Sequence, residues 1–168
     1  MVARSGSQRP KYDAVIHAPF GAVGIAVGAD SVRSIAFVPP STLRQAPTGA
    51  LAQRAVEQCL RYFDDPGAAF DLPLAPTGTE FQRAVWTCIS AIPLGSTRSY
   101  GEIATELGAP ARAVGQACGD NRYPLVIPCH RVVGAAGIGG FAHSNSGYLL
   151  RVKQWLLGHE LPLPLFAT

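Results

Sequence analysis

Residues 99–119 read SYGEIATELGAPARAVGQACG, and this stretch decides what kind of fold the chain adopts. Ser99-x-x-Glu102 has the pattern of a capping box, in which a hydroxyl and a carboxylate satisfy N–H groups that a helix start leaves free. The spacing predicts a short helix from there to Leu107, with Gly108 in the left-handed position that closes helices. Pro110 suits the first turn of a second helix, where its missing N–H costs nothing. That helix runs through Ala117 and stops at Gly119. Two short helices joined by a tight glycine-containing turn fit a helix-turn-helix, but from pattern alone two packed surface helices are the favoured reading. One detail favours the former. The second helix shows Ala111, Ala113 and Gly115 beside Arg112 and Gln116. Small residues let a helix axis approach a partner closely, and a single arginine among them can enter a groove or a base stack.

Downstream stands Ile127-Pro128-Cys129-His130-Arg131-Val132-Val133. It carries a thiol, an imidazole and a guanidinium into an apolar, strand-like segment. A thiol is mostly protonated at neutral pH, and a neighbouring imidazole or cation raises its thiolate fraction. Successive side chains of a strand point to opposite faces, so Cys129 and His130 cooperate only through a local turn or a bridging water. His130 also needs a partner to fix its tautomer. His159-Glu160, placed just past the last helix, offers a carboxylate. Cys59 and Cys88 fall on apolar helix faces and read as core, as does Cys118. The run 134–140, GAAGIGG, has no βαβ unit around it and reads as a flexible loop rather than a phosphate cradle.

Upstream, residues 13–38 alternate apolar stretches with Gly and Asp and predict an antiparallel meander ended by Pro39-Pro40. Leu51, Ala55, Val56, Cys59, Leu60 and Phe63 form a helical stripe over 49–63. A linker-like segment through Pro73, Pro76 and Gly78 places a domain boundary near 75. Thr79-x-x-Gln82 is a second capping box, starting a helix whose apolar face is Phe81, Val85, Cys88, Ile89 and Ile92. The last helix spans about 147–158.

At 168 residues, 48% hydrophobic and 15% charged, the chain has the composition of a globular protein. No apolar run is long enough to span a membrane. The start, MVARSGSQRPK, lacks the apolar core of a signal peptide, which predicts a cytoplasmic protein with reduced thiols. The net charge of +3 is weak support for a nucleic-acid partner. Among the four cysteines no C-x-x-C pair occurs, so neither a closed zinc site nor a disulfide framework is expected.

Taken together, Tyr100–Ala104, Ala111–Gly115, Asn121, Ile127–Val132, Lys153–Leu157 and His159-Glu160 resemble the O6-alkylguanine-DNA alkyltransferases. The resemblance covers 79–160; the N-terminal half is similar only in layout. It implies an α+β fold: a flexible tail over 1–11, a ribonuclease H-like sheet-and-helix support domain over 12–75, and a mostly helical, winged helix-turn-helix-like DNA-binding domain over 76–168. It implies direct, irreversible transfer of an alkyl group from O6-alkylguanine, and from O4-alkylthymine, to Cys129 after base flipping. His130 is then the water-relayed base, Glu160 its orienting carboxylate, and Asn121 the brace of the turn. Tyr100 pushes the phosphate and donates to the flipped base, and Arg112 fills the vacated stack. Ser99, Ala111, Ala113, Gly115, Gln116 and Arg131 complete the implied DNA surface. Tyr100, Pro124, Val132, Phe141 and Ala142 complete the implied substrate pocket. The implied partner is double-stranded DNA bound by a monomer, with no cofactor, metal or membrane.

This chain departs from the family pattern at several places. Phe141 stands where a tyrosine is usual, Ala142 where some members place a serine, and Arg122 where a proline is common. The segment from Phe141 to Lys153 is longer than usual, and the N-terminal zinc-binding pattern of some members is missing. Two other functions compete. A cysteine hydrolase using Cys129, His130 and Glu160 would turn over through an acyl intermediate. A non-enzymatic binder of alkylated DNA would hold a lesion and leave Cys129 unmodified.

Overall fold

The computed structural model describes residues 11–141, 143 and 147–161. Ala142 and most of the long 141–147 segment, together with residues 1–10 of the expected tail, lie outside the described residues. Three antiparallel strands, β1 (Ala14–Ala18), β2 (Gly21–Val27) and β3 (Val32–Val38), pair in the order β1-β2-β3. Val23 and Ile25 of β2 and Ile35 of β3 point into the core, against the stripe Ala55, Val56, Cys59 and Phe63 of α1 (Ala50–Asp64). Burying side chains of this size contributes about 1.5–3 kcal/mol each.

The segment after α1 is more structured than a linker. Val32 donates to the Pro73 carbonyl at 2.7 Å and Ala75 donates back to Val32 at 2.9 Å, so Leu74 runs parallel to the start of β3. The Tyr123 hydroxyl also donates to the Ala75 carbonyl. α2 (Glu80–Ser90) then opens on the expected capping box, with Gln82 N–H on Thr79 Oγ1 at 3.1 Å and Thr79 N–H on Gln82 Oε1 at 2.9 Å. Its buried face differs from the expected one. Trp86 is buried while Phe81 and Cys88 are only half-buried, because the indole N–H donates to the Ala117 carbonyl at 2.8 Å and the ring packs inward.

α3 (Tyr100–Leu107) and α4 (Ala111–Gly119) pack on each other and on α2. Gly108 closes α3 in the left-handed region, at φ 62°. Ser99 caps α3, accepting from Glu102 N–H at 3.0 Å, but only half of the expected box forms. The Glu102 carboxylate lies 3.7 Å from the Arg98 guanidinium instead. Pro110 sits one position before the first turn of α4, as its N-cap. A parallel pair, β4 (Arg98–Ser99) with β5 (Val132–Val133), ties the start of α3 to the chain that follows Cys129. The 134–140 run folds back on itself through a bridge between Gly134 and Gly137. α5 (Tyr148–Glu160) is longer than expected at its C-terminal end, which puts His159 and Glu160 in its last turn rather than beyond it.

One apolar cluster joins the two halves, running from Val23 and Ile25 through Val85, Ile103 and Val114 to Leu156. The Cys129 turn therefore hangs between α2, α5 and the strand pair rather than at a loose surface.

Candidate active site

Pro128 redirects the chain and Cys129–Arg131 form a single 3₁₀ turn, not a strand. Cys129 N–H donates to the Ile127 carbonyl at 2.8 Å and Arg131 N–H to the Pro128 carbonyl at 2.9 Å. This is the local turn that adjacent Cys129 and His130 need if they are to cooperate. Asn121 fastens the loop from behind: its amide donates to the Ile127 carbonyl at 2.9 Å, and its carbonyl oxygen accepts from Tyr123 N–H at 2.9 Å.

His130 and Glu160 are brought together in the interior. The imidazole Nε2 lies 2.8 and 2.9 Å from the two carboxylate oxygens, and both side chains are 1% exposed. A carboxylate accepts only, so Nε2 carries the hydrogen and Nδ1 is left as the acceptor. Nδ1 is the one buried side-chain N or O atom without a hydrogen-bond partner among the described residues. Burial holds the His130 pKa below its ordinary value, against the pull of Glu160. The ring is therefore neutral and basic at Nδ1 near pH 7. Burial pushes the Glu160 carboxyl up, but hydrogen bonds from His130 and Arg131 outweigh it and bring it down to about 2. Tyr62 adds a third donor at 2.9 Å.

Arg131 is a correction. Expected on the DNA surface, it turns inward: Nε and Nη2 hold the Glu160 carboxylate at 2.7 and 3.1 Å, and Nη1 holds the Ile92 carbonyl at 2.7 Å. A buried carboxylate needs a cation, and among the described residues Arg131 supplies it.

Cys129 lies at the base of a cavity of about 470 Å³ between α4 and the residues Gly140, Phe141 and His143. Tyr100, Cys118, Cys129 and Phe141 line its inner part, and Ala111, Arg112, Gly115 and Gln116 line the α4 side. Arg112 and Gln116 are exposed, whereas Ala113 is half-buried and does not line it. Pro124 and Val132, expected in the pocket, are buried away from the cavity. Pro124 belongs to the loop behind the turn, and Val132 is held in the β4–β5 pair. Ala142 falls outside the described residues. Ser99 serves as the α3 cap.

Sequence reasoning gave no role to Lys153, which is fully buried. Its Nζ donates to the carbonyls of Val132 at 2.7 Å and Gly140 at 2.8 Å. Burial lowers its pKa to about 8 while Cys129 and Cys118 pull it up. Burial raises the Cys129 thiol, and Asn121 and the Lys153 charge pull it back toward thiolate. The signal was available: a lysine between Val152 and Leu156 interrupts the apolar side of α5. Tyr100 donates to the Gly140 carbonyl at 3.1 Å, and burial raises its pKa, which keeps it a neutral donor. Among the described residues, no group of three or more His, Cys, Asp or Glu is arranged to hold a metal, and no helix is long and apolar enough to cross a membrane.

Residues 80–161 match the family model described as 6-O-methylguanine DNA methyltransferase, DNA binding domain. The methylated-DNA–protein-cysteine methyltransferase of Methanosarcina acetivorans is 37% identical over 157 residues, covering 89% of this chain and 97% of that protein. The protein of that name from Mycolicibacterium paratuberculosis is 55% identical over 85 residues, 49% of this chain and 52% of its own length. The crystal structure of Mycobacterium tuberculosis OGT in complex with DNA is similar at a TM-score of 0.71 and 36% identity, covering 87% of this chain and 90% of that one. With its cysteine turn, buried His130–Glu160 pair and paired helices, this chain belongs to the methylated-DNA–protein-cysteine methyltransferase family.

Proposed function

We propose that this chain repairs alkylated DNA directly, moving the alkyl group of O6-alkylguanine, and of O4-alkylthymine, onto Sγ of Cys129, once per molecule. The observation that carries this reading is Cys129 at the base of a cavity walled by α4, with the neutral His130 ring held by the Glu160 carboxylate beside it. The alkylated oxygen sits inside a stacked duplex, so the nucleotide must be extruded to meet a thiolate. In this reading α3 and α4 are a helix-turn-helix, with α4 against the groove and the strand pair with its loop as a wing. Residues 12–75 are a ribonuclease H-like support, and the protein works as a cytoplasmic monomer.

His130 takes the thiol proton at Nδ1, through a water, and Glu160 stabilises the imidazolium that results. Lys153 and Asn121 favour the thiolate. The S–C bond forms as the C–O bond breaks, and the electron pair leaves on the base. The Tyr100 hydroxyl passes a proton to it, and the proton taken up by His130 returns through water to restore the tyrosine, so the base leaves neutral. Phe141 walls the pocket. The product is a thioether, which lacks the carbonyl that would let water release an acyl-cysteine, so Cys129 is consumed.

The test weighs the intact protein after mixing it with an equal amount of duplex DNA carrying O6-methylguanine. One added methyl, mapped to the Cys129 peptide, is expected; an unmodified protein sinks the reading. Repeated turnover on a thioester or amide would instead point to a hydrolase. Tight lesion binding with Cys129 unchanged would point to a binder.

Arg112 provides a separate prediction. It is the one charged residue of α4, exposed at the cavity edge. Stacking in place of a base is worth about 1–3 kcal/mol, so Arg112→Ala should slow transfer from duplex DNA about 5- to 150-fold. Reaction with free O6-benzylguanine needs no flipping and should change far less. Equal losses on both substrates would contradict the stack-filling role.

A further inference from the structure

His143 lines the same cavity as Cys129, on a segment that the mechanism above does not use. Two observations fix its place. Its Nε2 lies 2.9 Å from Asp120 Oδ1, just past the end of α4. Its ring covers Gly119 so closely that a Cβ there would fall 2.3 Å from the imidazole. Its backbone is left-handed at φ 64°, a region uncommon for residues with a Cβ but one that histidine visits more than most. Asp120 is itself fixed, because Gln82, the residue of the α2 capping box, donates to its other oxygen at 2.9 Å. The imidazole thus lies across the cavity mouth against the end of α4. It is 48% exposed, so it stands at the rim rather than in the floor.

We propose that His143, tethered by Asp120, is a specificity-determining residue that limits the size of the alkyl group admitted to Cys129. The inference rests on the alkyl-transfer reading and deepens it. A methyl lesion adds little to the guanine and fits beside the seated ring. A benzyl lesion needs the width between α4 and Gly140-Phe141 that the imidazole occupies. Admitting it requires the ring to leave Gly119 and the Asp120 contact to break. That contact is exposed and single, so it is weak enough to open yet biases the population toward the narrow cavity. Gly119 is part of the device, since only a residue without a Cβ leaves the ring a seat.

The experiment compares single-turnover rates on two duplexes, one carrying O6-methylguanine and one carrying O6-benzylguanine, for wild type, His143→Ala, Asp120→Asn and Gly119→Ala. In His143→Ala the benzyl-to-methyl rate ratio should rise about tenfold or more. Asp120→Asn should move it the same way by less. Gly119→Ala, which unseats the ring from the other side, should follow His143→Ala. Thermal unfolding of each variant identifies any that fails to fold, and Asp120→Asn, with its surface change only, keeps the test alive if another fails. A ratio unchanged in His143→Ala and Asp120→Asn, with wild type still gaining a methyl, overturns the role of His143 alone. No methyl on the wild type overturns the alkyl-transfer reading itself.

Discussion

Serine in place of Cys129 should abolish methyl transfer from DNA while leaving lesion binding intact. The substitution changes one atom at a position that is 5% exposed, and leaves the Tyr100, Arg112 and Phe141 walls untouched. What it removes is ionisation. The nucleophile is the thiolate, and even a thiol is pushed up by burial here and needs help to lose its proton. A hydroxyl, far less acidic, stays protonated against a neutral imidazole such as His130. Anisotropy with the O6-methylguanine duplex should then give the wild-type affinity, and the intact mass should not change. The informative failure is a methylated Cys129→Ser protein. It would name another acceptor in the cavity. Cys118 is the one other thiol lining it, and burial pushes that thiol up to about 12, so it should stay unmodified.

The paired helices were legible because each is punctuated: Ser99 caps one, Gly108 closes it in the left-handed region, and Pro110 leads into the next. The meander was legible because its apolar stretches alternate with Gly and Asp and end at Pro39-Pro40. Positions fixed by long-range electrostatics were not. Arg131 looked like a surface cation, since nothing in Cys-His-Arg reveals that Glu160, 29 residues away, must be neutralised in the interior. Glu160 itself seemed to follow the last helix because its charge hid the helical pattern, whereas its partners draw it into the core. Trp86 was passed over because its buried role depends on a carbonyl 31 residues away. The pocket was the least legible part. Residue-by-residue likeness placed Tyr100 and Phe141 beside Cys129, but it also placed Pro124 and Val132 there, and it said nothing about His143, whose seat depends on Gly119 and Asp120.

Glu160→Gln should be the most damaging conservative change behind the active site. The carboxylate is shared by His130, Arg131 and Tyr62, and all four groups are largely removed from water. Removing one partner of a buried ion pair typically costs about 3–5 kcal/mol, because the guanidinium is left buried without its countercharge. Transfer should slow as well, by about 10²-fold, since glutamine still accepts from Nε2–H but cannot stabilise the imidazolium formed when Cys129 ionises. The two effects separate in denaturant titrations and in single-turnover rates measured where the variant is folded. Acid provides an independent check. A carboxyl lowered from an ordinary 4.5 to about 2 contributes roughly 3 kcal/mol of stability. Because the folded value is the lower one, that contribution is complete above pH 4.5 and is lost as pH falls from there toward 2. His130 acts in the same direction: the unfolded chain protonates it below its ordinary 6.5, while the buried ring resists, so stability already declines below that pH. Wild type should therefore weaken from pH 6.5 downward and more steeply below 4.5, and Glu160→Gln should lose the steeper acid limb. A variant as stable as wild type at pH 7, with the same acid profile, would show that Glu160 does not hold the turn.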